Sequence, residues 1–178
     1  MPAKVFRAYN GAAGALSGSA MFGTQATANT LGTPRTMLQI APASTAPSLR
    51  VVGWGYALPT APAANIQFEL LDTGTVFASS LTAHVSAGIH RMNGPVAEPS
   101  TVQLGTALTA YYSTGTPTEG TLSTTRLLDT RYENGLSFYW RFELGREPEI
   151  PAGNCLRLRA APSSSSQVSL VCWIDWEE

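Results

Sequence analysis

The chain has 178 residues and a formal net charge of −1, and only 13% of its residues are charged, about half of the roughly 25% that is typical of soluble domains. A chain of this length buries about 70% of its unfolded surface, so we expect a single domain over residues 1–178 that needs no metal or disulfide for stability. No segment approaches the ~18 consecutive apolar residues of a membrane span. The N-terminal MPAKVFRAYN lacks the apolar core of a secretory signal, so we expect no membrane association and folding in a reducing cytoplasm.

The low charge has two explanations that the sequence leaves open. Lys4 is the only lysine among the eleven basic residues, and this preference for arginine is typical of a GC-rich genome. Alternatively, much of the surface is covered by other subunits, because an exposed monomer usually carries more charge to stay dispersed. The second explanation predicts a homo-oligomer, and we expect a homotrimer because closed rotational symmetry hides strand edges and loops together.

Basic and acidic residues are unevenly distributed along the chain. The first 68 residues contain no acid, and their only cations are Lys4, Arg7, Arg35 and Arg50. Either the two parts of the chain intermingle in the fold, or the acid-free part rests on an acidic surface of a neighbouring subunit. The second alternative makes Lys4, Arg7 and Arg35 candidate partner-binding residues. Four dispersed cations are too few for a nucleic-acid footprint, so no nucleic-acid partner is expected.

Hydrophobic residues recur with a period of two along most of the chain, which is typical of half-buried strands. Turns rich in Gly, Pro, Ser and Thr separate these stretches, and this combination predicts a single all-β, jelly-roll-like antiparallel β-sandwich with long small-residue loops. The pattern predicts about nine strands: Lys4–Tyr9, Arg35–Ala41, Leu49–Leu58, Ile66–Asp72, Leu104–Tyr112, Leu122–Thr130, Leu136–Leu144, Cys155–Ala160 and Gln167–Trp176.

Two stretches lack the composition of a core. Asn10–Pro34 is a run of small residues between two predicted strands, too long for a hairpin and too poor in large apolar groups to pack alone. It is either a loop or an arm that orders against a neighbour, and we expect it to hold the protein to its scaffold. Ala83–Gln103 has the Gly and Pro content of an exposed loop.

The stretch LSFYWRFEL has the clearest alternation. Its five odd positions are apolar and its even positions are mostly polar, so it predicts a strand with one strongly buried face. We expect this face to be among the largest contributions to the core, at about 1.5–3 kcal/mol for each fully buried large side chain. The residues expected on it are Leu136, Phe138, Trp140, Phe142 and Leu144.

The stretch PEIPAGNCLRLRA predicts a rigid turn followed by a strand. Pro148 and Pro151 fix the backbone, and Gly153 tolerates the angles of a tight turn that sets the last hairpin. In the strand the leucines face the core, which leaves Arg157 and Arg159 on a face that meets either solvent or a partner. Arginine pairs well with carboxylates, so both are candidate partner-binding residues.

The two cysteines flank the PSSSSQ turn, but we expect no disulfide between them. If Leu156 and Leu158 share a buried face with Cys172, then Cys155 points to the opposite face; a different register would reverse this conclusion.

No catalytic, metal or cofactor site is predicted. His84 and His90 are the only histidines, and a zinc site normally needs three or four ligands. Paired carboxylates can hydrolyse glycosides, but solvated carboxylates in a turn are the ordinary outcome. Nucleophile-elbow and phosphate-cradling motifs are absent, so the sequence favours binding or structure over catalysis. The carboxylates in question are Glu143, Glu147 and Glu149.

Aromatic residues offer another route to function. Trp54 and Tyr56 share one strand face, and exposed coplanar rings form a sugar-stacking platform in some sandwiches. Most sandwich tryptophans instead fill the core, which we favour here. The other aromatic groups that stand out are Tyr111 with Tyr112 and Trp173 with Trp176.

The order of the elements RTMLQIA, LRVVGWGYAL, NIQFELLDTG, LTAHVSAGIH and EPEIPAGNCLRLRA, with a terminal strand ending in IDWEE, resembles small β-sandwich virion proteins of tailed bacteriophages of actinobacterial hosts. These are similar to head decoration, or cement, proteins. The resemblance implies a non-enzymatic, commonly trimeric subunit on the capsid exterior that binds and clamps the major capsid protein. The size of the chain and the Asn10–Pro34 segment depart from the smallest decoration proteins and leave a tail position, or a receptor- or glycan-binding module, open.

Overall fold

The computed structural model describes residues 3–11, 34–42, 48–84, 89–94, 111–112, 118–123, 125–162 and 170–178. All regular structure in these ranges is β-strand, arranged in antiparallel sheets, which confirms the predicted all-β class. No described helix is long and apolar enough to cross a bilayer. The strands are, in chain order, β1 Val5–Tyr9, β2 Arg35–Ile40, β3 Leu49–Ala57, β4 Ile66–Asp72, β5 Thr82–Ala83, β6 Ile89–Arg91, β7 Tyr111–Tyr112, β8 Arg126–Glu133, β9 Ser137–Arg141, β10 Glu149–Ile150, β11 Leu156–Pro162 and β12 Val171–Glu177.

The strands form two sheets of six. The first sheet has the order β10-β3-β12-β1-β6, and β9 pairs with the same side of β3 further along that strand. The second sheet has the order β5-β7-β2-β11-β4-β8. Consecutive strands β2 and β3, and likewise β11 and β12, lie in different sheets, so the chain crosses repeatedly between the two layers.

The core lies between the two sheets because alternate residues of each strand point inward. Trp54 and Tyr56 from the first sheet pack against Phe68 of the second, with ring centroids 6.2 and 4.1 Å away. The prediction that Trp54 and Tyr56 are core residues is confirmed, since both are fully buried. Trp176 at the other end of the first sheet is also fully buried and stacks with Phe6.

The prediction for LSFYWRFEL is wrong in its burial. The strand is shorter, Ser137–Arg141, and it lies at an edge of the first sheet, where it pairs only with β3 among the described strands. Phe138 packs against the core, but Leu136, Trp140 and Leu144 are 53%, 41% and 94% exposed. Phe142 also packs against the core, whereas Trp140 lines an open cleft beside Leu128 and Asp129 of β8 and is only partly covered.

The turn before the LRLR strand is confirmed, but the hairpin is not. Gly153 has φ of +81° and the amide of Asn154 donates to the carbonyl of Pro151 at 3.1 Å, as in a type II turn. This turn carries the chain from β10 in the first sheet to β11 in the second, and β11 does not pair with β12. The leucines of β11 do face the core together with Cys172, as expected.

The two predicted loops are described only in part. Residues 12–33 of the predicted arm lie outside the described residues. Asn10 at its start is buried; its side-chain amide donates to the carbonyl of Leu170, and its side-chain oxygen accepts from the amide of Cys172. The Ala83–Gln103 stretch is not loop throughout, because β6 lies within it and pairs with β1. Residues 104–110 of the predicted fifth strand also lie outside the described residues.

Candidate functional site

The arginines of β11 form their hydrogen bonds and ion pairs with other residues of the same chain. Arg157 is fully buried on the outer side of the second sheet, where its Nη1 donates to the carbonyl of Glu119 at 2.8 Å and its Nη2 donates to the carbonyl of Val76. Arg159 pairs with Glu69 and Glu119 at 3.4 and 3.5 Å. The segments that carry Val76 and Glu119 therefore cover this face, and the guanidinium of Arg157 is not accessible to a partner.

Arg7 is also paired, with an acid at the far end of the chain. Its Nε and Nη2 donate to the two carboxylate oxygens of Asp175 at 2.5 and 2.7 Å, because β1 and β12 are neighbours in the first sheet. This hydrogen-bonded pair raises the pKa of Arg7 above its ordinary value. Arg50 similarly lies 3.6 Å from Glu177. The acid-free N-terminal part and the acidic C-terminal strand thus intermingle in the fold.

The five predicted partner-binding residues do not form one surface. Lys4 directly precedes β1 in the first sheet, and its backbone pairs with that of Glu178 at the end of the chain. Arg35 begins β2 in the second sheet, opposite Ala160. Arg7 lies on the first sheet, whereas Arg157 and Arg159 lie on the second, so a single partner contact through all five is not supported by their placement. Their role in binding stays a prediction.

The two histidines lie on either side of Tyr9. His84 is buried after β5, and its Nε2 is 2.8 Å from the carbonyl oxygen of Tyr9, which links the second sheet to β1 of the first. Burial lowers the pKa of His84 to about 4, so its ring is neutral at pH 7. Burial, and secondarily Arg7, also lowers the pKa of His90. In the described ranges, no three His, Cys, Asp or Glu side chains are placed to hold a metal ion.

The other groups considered for chemistry are engaged locally. Cys155 and Cys172 are free buried thiols, as expected, and burial raises the pKa of Cys155 to about 11. Glu143 pairs with Arg146 on an exposed turn, while the carboxylate of Glu147 accepts from the amide of Gly145 at 2.8 Å. Neither arrangement places two carboxylates on opposite sides of a substrate pocket, as glycoside hydrolysis requires. The side chains of Tyr111 and Tyr112 lie outside the described part.

Two further surfaces combine partly exposed apolar or aromatic side chains with polar groups. The first is a shallow cleft of about 260 Å³ where β8 of one sheet and β9 of the other run along the same flank of the sandwich. We call it the edge cleft. Its apolar members face polar groups at the rim, and Leu144 projects from the adjoining turn. The cleft is lined by Leu128, Asp129, Trp140, Phe142, Glu143 and Arg146.

Interactions beneath the edge cleft hold its shape. Asp129 accepts a hydrogen bond from the buried indole of Trp54 at 3.0 Å and another from Arg131 at 3.4 Å. The guanidinium of Arg131 in turn lies over the rings of Phe138 and Trp140, 4.7 and 5.1 Å from their centroids. Trp140 is therefore fixed by a cation–π contact while its outer surface stays accessible.

The second surface is the outer side of the first sheet, which we call the aromatic face. Strand register places Tyr139, Gly55, Trp173 and Tyr9 in one row across four strands. The rings of Tyr139 and Trp173 are stacked at 6.3 Å between centroids, and Trp173 and Tyr9 are 6.0 Å apart. The neighbouring row is polar and consists of Arg141, Gly53, Asp175, Arg7 and His90.

Arg7 joins the two rows. Its guanidinium carbon lies 5.8, 5.8 and 5.4 Å from the ring centroids of Tyr9, Tyr139 and Trp173. The hydroxyl of Tyr139 donates to Asp175 at 3.0 Å, and burial and the nearby carboxylate raise the pKa of this tyrosine, so it remains a donor at neutral pH. The guanidinium and the carboxylate thereby hold the three rings together, with Trp173 inclined at 26° to Tyr139 and at 54° to Tyr9.

Glycines in β3 allow the rings to lie against the sheet. A Cβ on Gly55 would lie 2.5 Å from both the ring of Trp173 and the carbonyl oxygen of Phe138, and one on Gly53 would lie 3.2 Å from the hydroxyl of Tyr139. Sequence reasoning missed this surface. The available signal was VVGWGY, in which two glycines alternate with two buried aromatics, because glycine at alternate strand positions marks a close approach by another group.

A comparison of the chain with models of protein families found no match, and comparisons with curated proteins and with solved structures found none either.

Proposed function

We propose that this chain is a non-enzymatic structural protein of a tailed-phage virion, a capsid decoration or cement protein that binds the outer shell of major capsid proteins and stabilises it. The edge cleft is the observation that carries the proposal, because it combines exposed apolar side chains with two open strand edges. The jelly-roll-like strand order expected from the resemblance, and assembly as a homotrimer, belong to the same proposal.

The edge cleft has the composition of a protein-binding surface. Trp140, Leu136 and Leu144 expose large apolar areas along one flank, and contiguous patches of this kind mark sites of association. A tryptophan held in place by Arg131 is the residue type that most often dominates such contacts. Because its position is fixed before binding, little side-chain entropy is lost when a partner covers it.

Open strand edges at the same flank add a backbone component. In the part of the chain that the structure describes, β8 pairs only with β4 and β9 pairs only with β3, so each has one unpaired side. Unpaired strand edges are templates for contact with another chain. A capsid subunit that places an apolar side chain in the cleft can also pair with one of these edges.

The charged side chains at the rim of the edge cleft would orient a bound partner rather than add much to its affinity. Glu143 and Arg146 form an ion pair 3.3 Å long in which both side chains are more than 70% exposed. Exposed pairs of this type contribute about 0–1 kcal/mol. Retention on a particle then depends on apolar contacts repeated by the subunits of a trimer, since linked weak contacts raise the overall affinity through effective concentration.

Co-sedimentation with particles that lack the protein tests this function. Trp140→Glu places a charge in the edge cleft and is expected to reduce binding at least tenfold, while the melting temperature changes little because Trp140 is partly exposed. Met92→Glu is the matched control, since Met92 is 51% exposed and follows β6 at the opposite edge of the first sheet from β9. Wild-type binding by folded Trp140→Glu, or no binding of the wild-type chain to any capsid, contradicts the proposal.

A further inference from the structure

We propose that the aromatic face binds carbohydrate, with an oligosaccharide lying across β9, β3, β12 and β1 and its sugar rings stacked on Tyr139 and Trp173. This inference uses a different surface from the edge cleft and does not depend on the virion role.

The shape of the surface matches a chain of sugars better than a small ligand. The rings of Tyr139, Trp173 and Tyr9 form a row over four adjacent strands, which at about 4.8 Å between strands is about 14 Å long. Trp173 lies close to the sheet because Gly55 has no Cβ to displace it. An open row of this length suits several linked sugar rings better than a single small molecule, and the 54° tilt between Tyr9 and Trp173 suits rings that turn along the oligosaccharide.

The electronic character of the row suits the C–H faces of pyranose rings. Aromatic faces carry a partial negative charge, and sugar C–H groups carry a partial positive one. Tyr139 is 48% exposed and provides the most accessible ring, while Trp173 and Tyr9 are half-buried beside it. Tyrosine and tryptophan lose little conformational entropy on binding, and here Arg7 already fixes both neighbouring rings.

The polar row supplies hydrogen-bonding groups beside the stacked rings. Tyr9 accepts from Arg7 at 3.4 Å and retains its own hydroxyl hydrogen for a ligand. The lowered pKa of His90 keeps its ring neutral near pH 7, with one donor and one acceptor. Sugar hydroxyls both donate and accept, so this mixed set fits them better than it fits a uniformly charged ligand.

The charge balance leaves one cation on the surface. Asp175 neutralises Arg7, whereas the exposed Arg141 makes no ion pair with another described residue. Arg141 lies two positions after Tyr139 on β9, so both residues are on the same face of the strand, and strand register places Arg141 in the polar row. We therefore expect oligosaccharides that contain uronic acids to bind more tightly than neutral ones of the same length.

Binding of the full chain to a panel of immobilised neutral and uronic-acid-containing oligosaccharides tests the inference. We expect retention of at least one oligosaccharide, a loss of tenfold or more in Tyr139→Ala, and a change of less than threefold in Tyr139→Phe, which keeps the ring. Tyr132→Ala is the matched control because it removes a tyrosine that is 63% exposed, against 48% for Tyr139, from the other sheet, and it is expected to bind oligosaccharide as the wild type does. Arg141→Gln should weaken uronate binding more than neutral binding.

Three outcomes overturn the inference: no retention of any oligosaccharide at millimolar concentration, equal retention on polyglutamate, or wild-type binding by Tyr139→Ala. Melting temperatures of all variants show that each is folded. Particle binding uses the edge cleft and the strand edges beside it, whereas Trp173 lies on the interior strand β12. Trp173→Ala is therefore expected to lose oligosaccharide binding but to co-sediment with particles normally, so failure of this inference and failure of the virion role are distinguished.

Discussion

On the outer side of the second sheet, Arg157 lies beneath the segments that carry Val76 and Glu119, whereas on the outer side of the first sheet Arg7 lies among rings that remain partly exposed. Both arginines pair with an acid, and both have several further contacts. The difference is that one network is closed by backbone carbonyls from the chain itself, while the other is closed by aromatic side chains at the surface. A face sealed by its own loops is structural, and an open aromatic face remains available for a ligand.

Among the two arginines just compared, the larger effect is expected from removing the buried one. Arg157→Ala leaves the carbonyls of Val76 and Glu119 without their donor, and breaking a buried ion pair on one side costs about 3–5 kcal/mol. We expect the lower end, near 3 kcal/mol, because Thr36 and Arg159 still donate to Glu119. Arg7→Ala should cost about 1 kcal/mol, since its pair is partly exposed and Tyr139 still donates to Asp175. Urea unfolding of both variants measures the difference, and equal losses contradict it.

Acid is expected to lower the stability of the fold through His84, whose ring contacts the backbone of Tyr9 in the aromatic face. His84 has an ordinary pKa of 6.5 when unfolded and about 4 when folded. Between these values the unfolded chain binds more protons, so stability falls as the pH drops from 6.5 to 4, by up to about 3 kcal/mol for this group. His84→Gln removes the titration, so its melting temperature should depend less steeply on pH in this window. His90 and Arg7 are still present in this variant. If the melting temperatures of the variant and the wild type depend on pH in the same way, His84 is not the cause of the loss of stability.

A substitution of Gly55, which lies beneath the rings of the aromatic face, is expected to have an intermediate effect on stability. Gly55→Ala brings a methyl group within 2.5 Å of the backbone of β9 and of Trp173, so a strand or a ring must move. Overpacking of this kind costs about 1–3 kcal/mol, and oligosaccharide binding should weaken with it. Gly135→Ala is the matched control, because its methyl group would have only ordinary contacts at 3.6 Å and beyond. If both variants give the same thermal melts and the same binding, Trp173 is not closely packed against Gly55.

The smallest effects are expected at the exposed aromatics of β9. Tyr139→Ala and Trp140→Ala should each cost about 1 kcal/mol or less, whereas Trp54→Ala in the core should cost about 3–5 kcal/mol. The reason is that Tyr139 and Trp140 are exposed on opposite sides of an edge strand, while Trp54 is fully buried. A loss at Trp140 as large as that at Trp54 in thermal melts would mean that the edge cleft is part of the core.

Strand positions were predictable where alternation and turn residues agree. The prediction for Ile66–Asp72 matches β4 at both ends, and Leu49–Leu58 exceeds β3 by one residue. Leu136–Leu144 has equally clear alternation, yet its burial was wrong. Alternation shows which residues share a face of a strand, but it does not show whether the opposing sheet extends far enough to cover that face.

The candidate surfaces were less predictable than the strands because they depend on register between distant segments. Arg7 and Asp175 are 168 positions apart and meet only because β1 pairs with β12. Tyr139 reaches Trp173 across the glycines of β3, which local sequence does not reveal. The burial of Arg157 likewise depends on segments around Val76 and Glu119 that the two-residue period of β11 cannot indicate.

Cryo-electron microscopy of particles reconstituted with the full chain tests the central claim most directly, because it locates the protein and orients both surfaces at once. We expect trimeric density on the capsid exterior, with Trp140 and the edge cleft against major capsid subunits and Tyr139 and the aromatic face directed outward. Density only on the tail, or a capsid-bound orientation in which the edge cleft faces solvent, would contradict it.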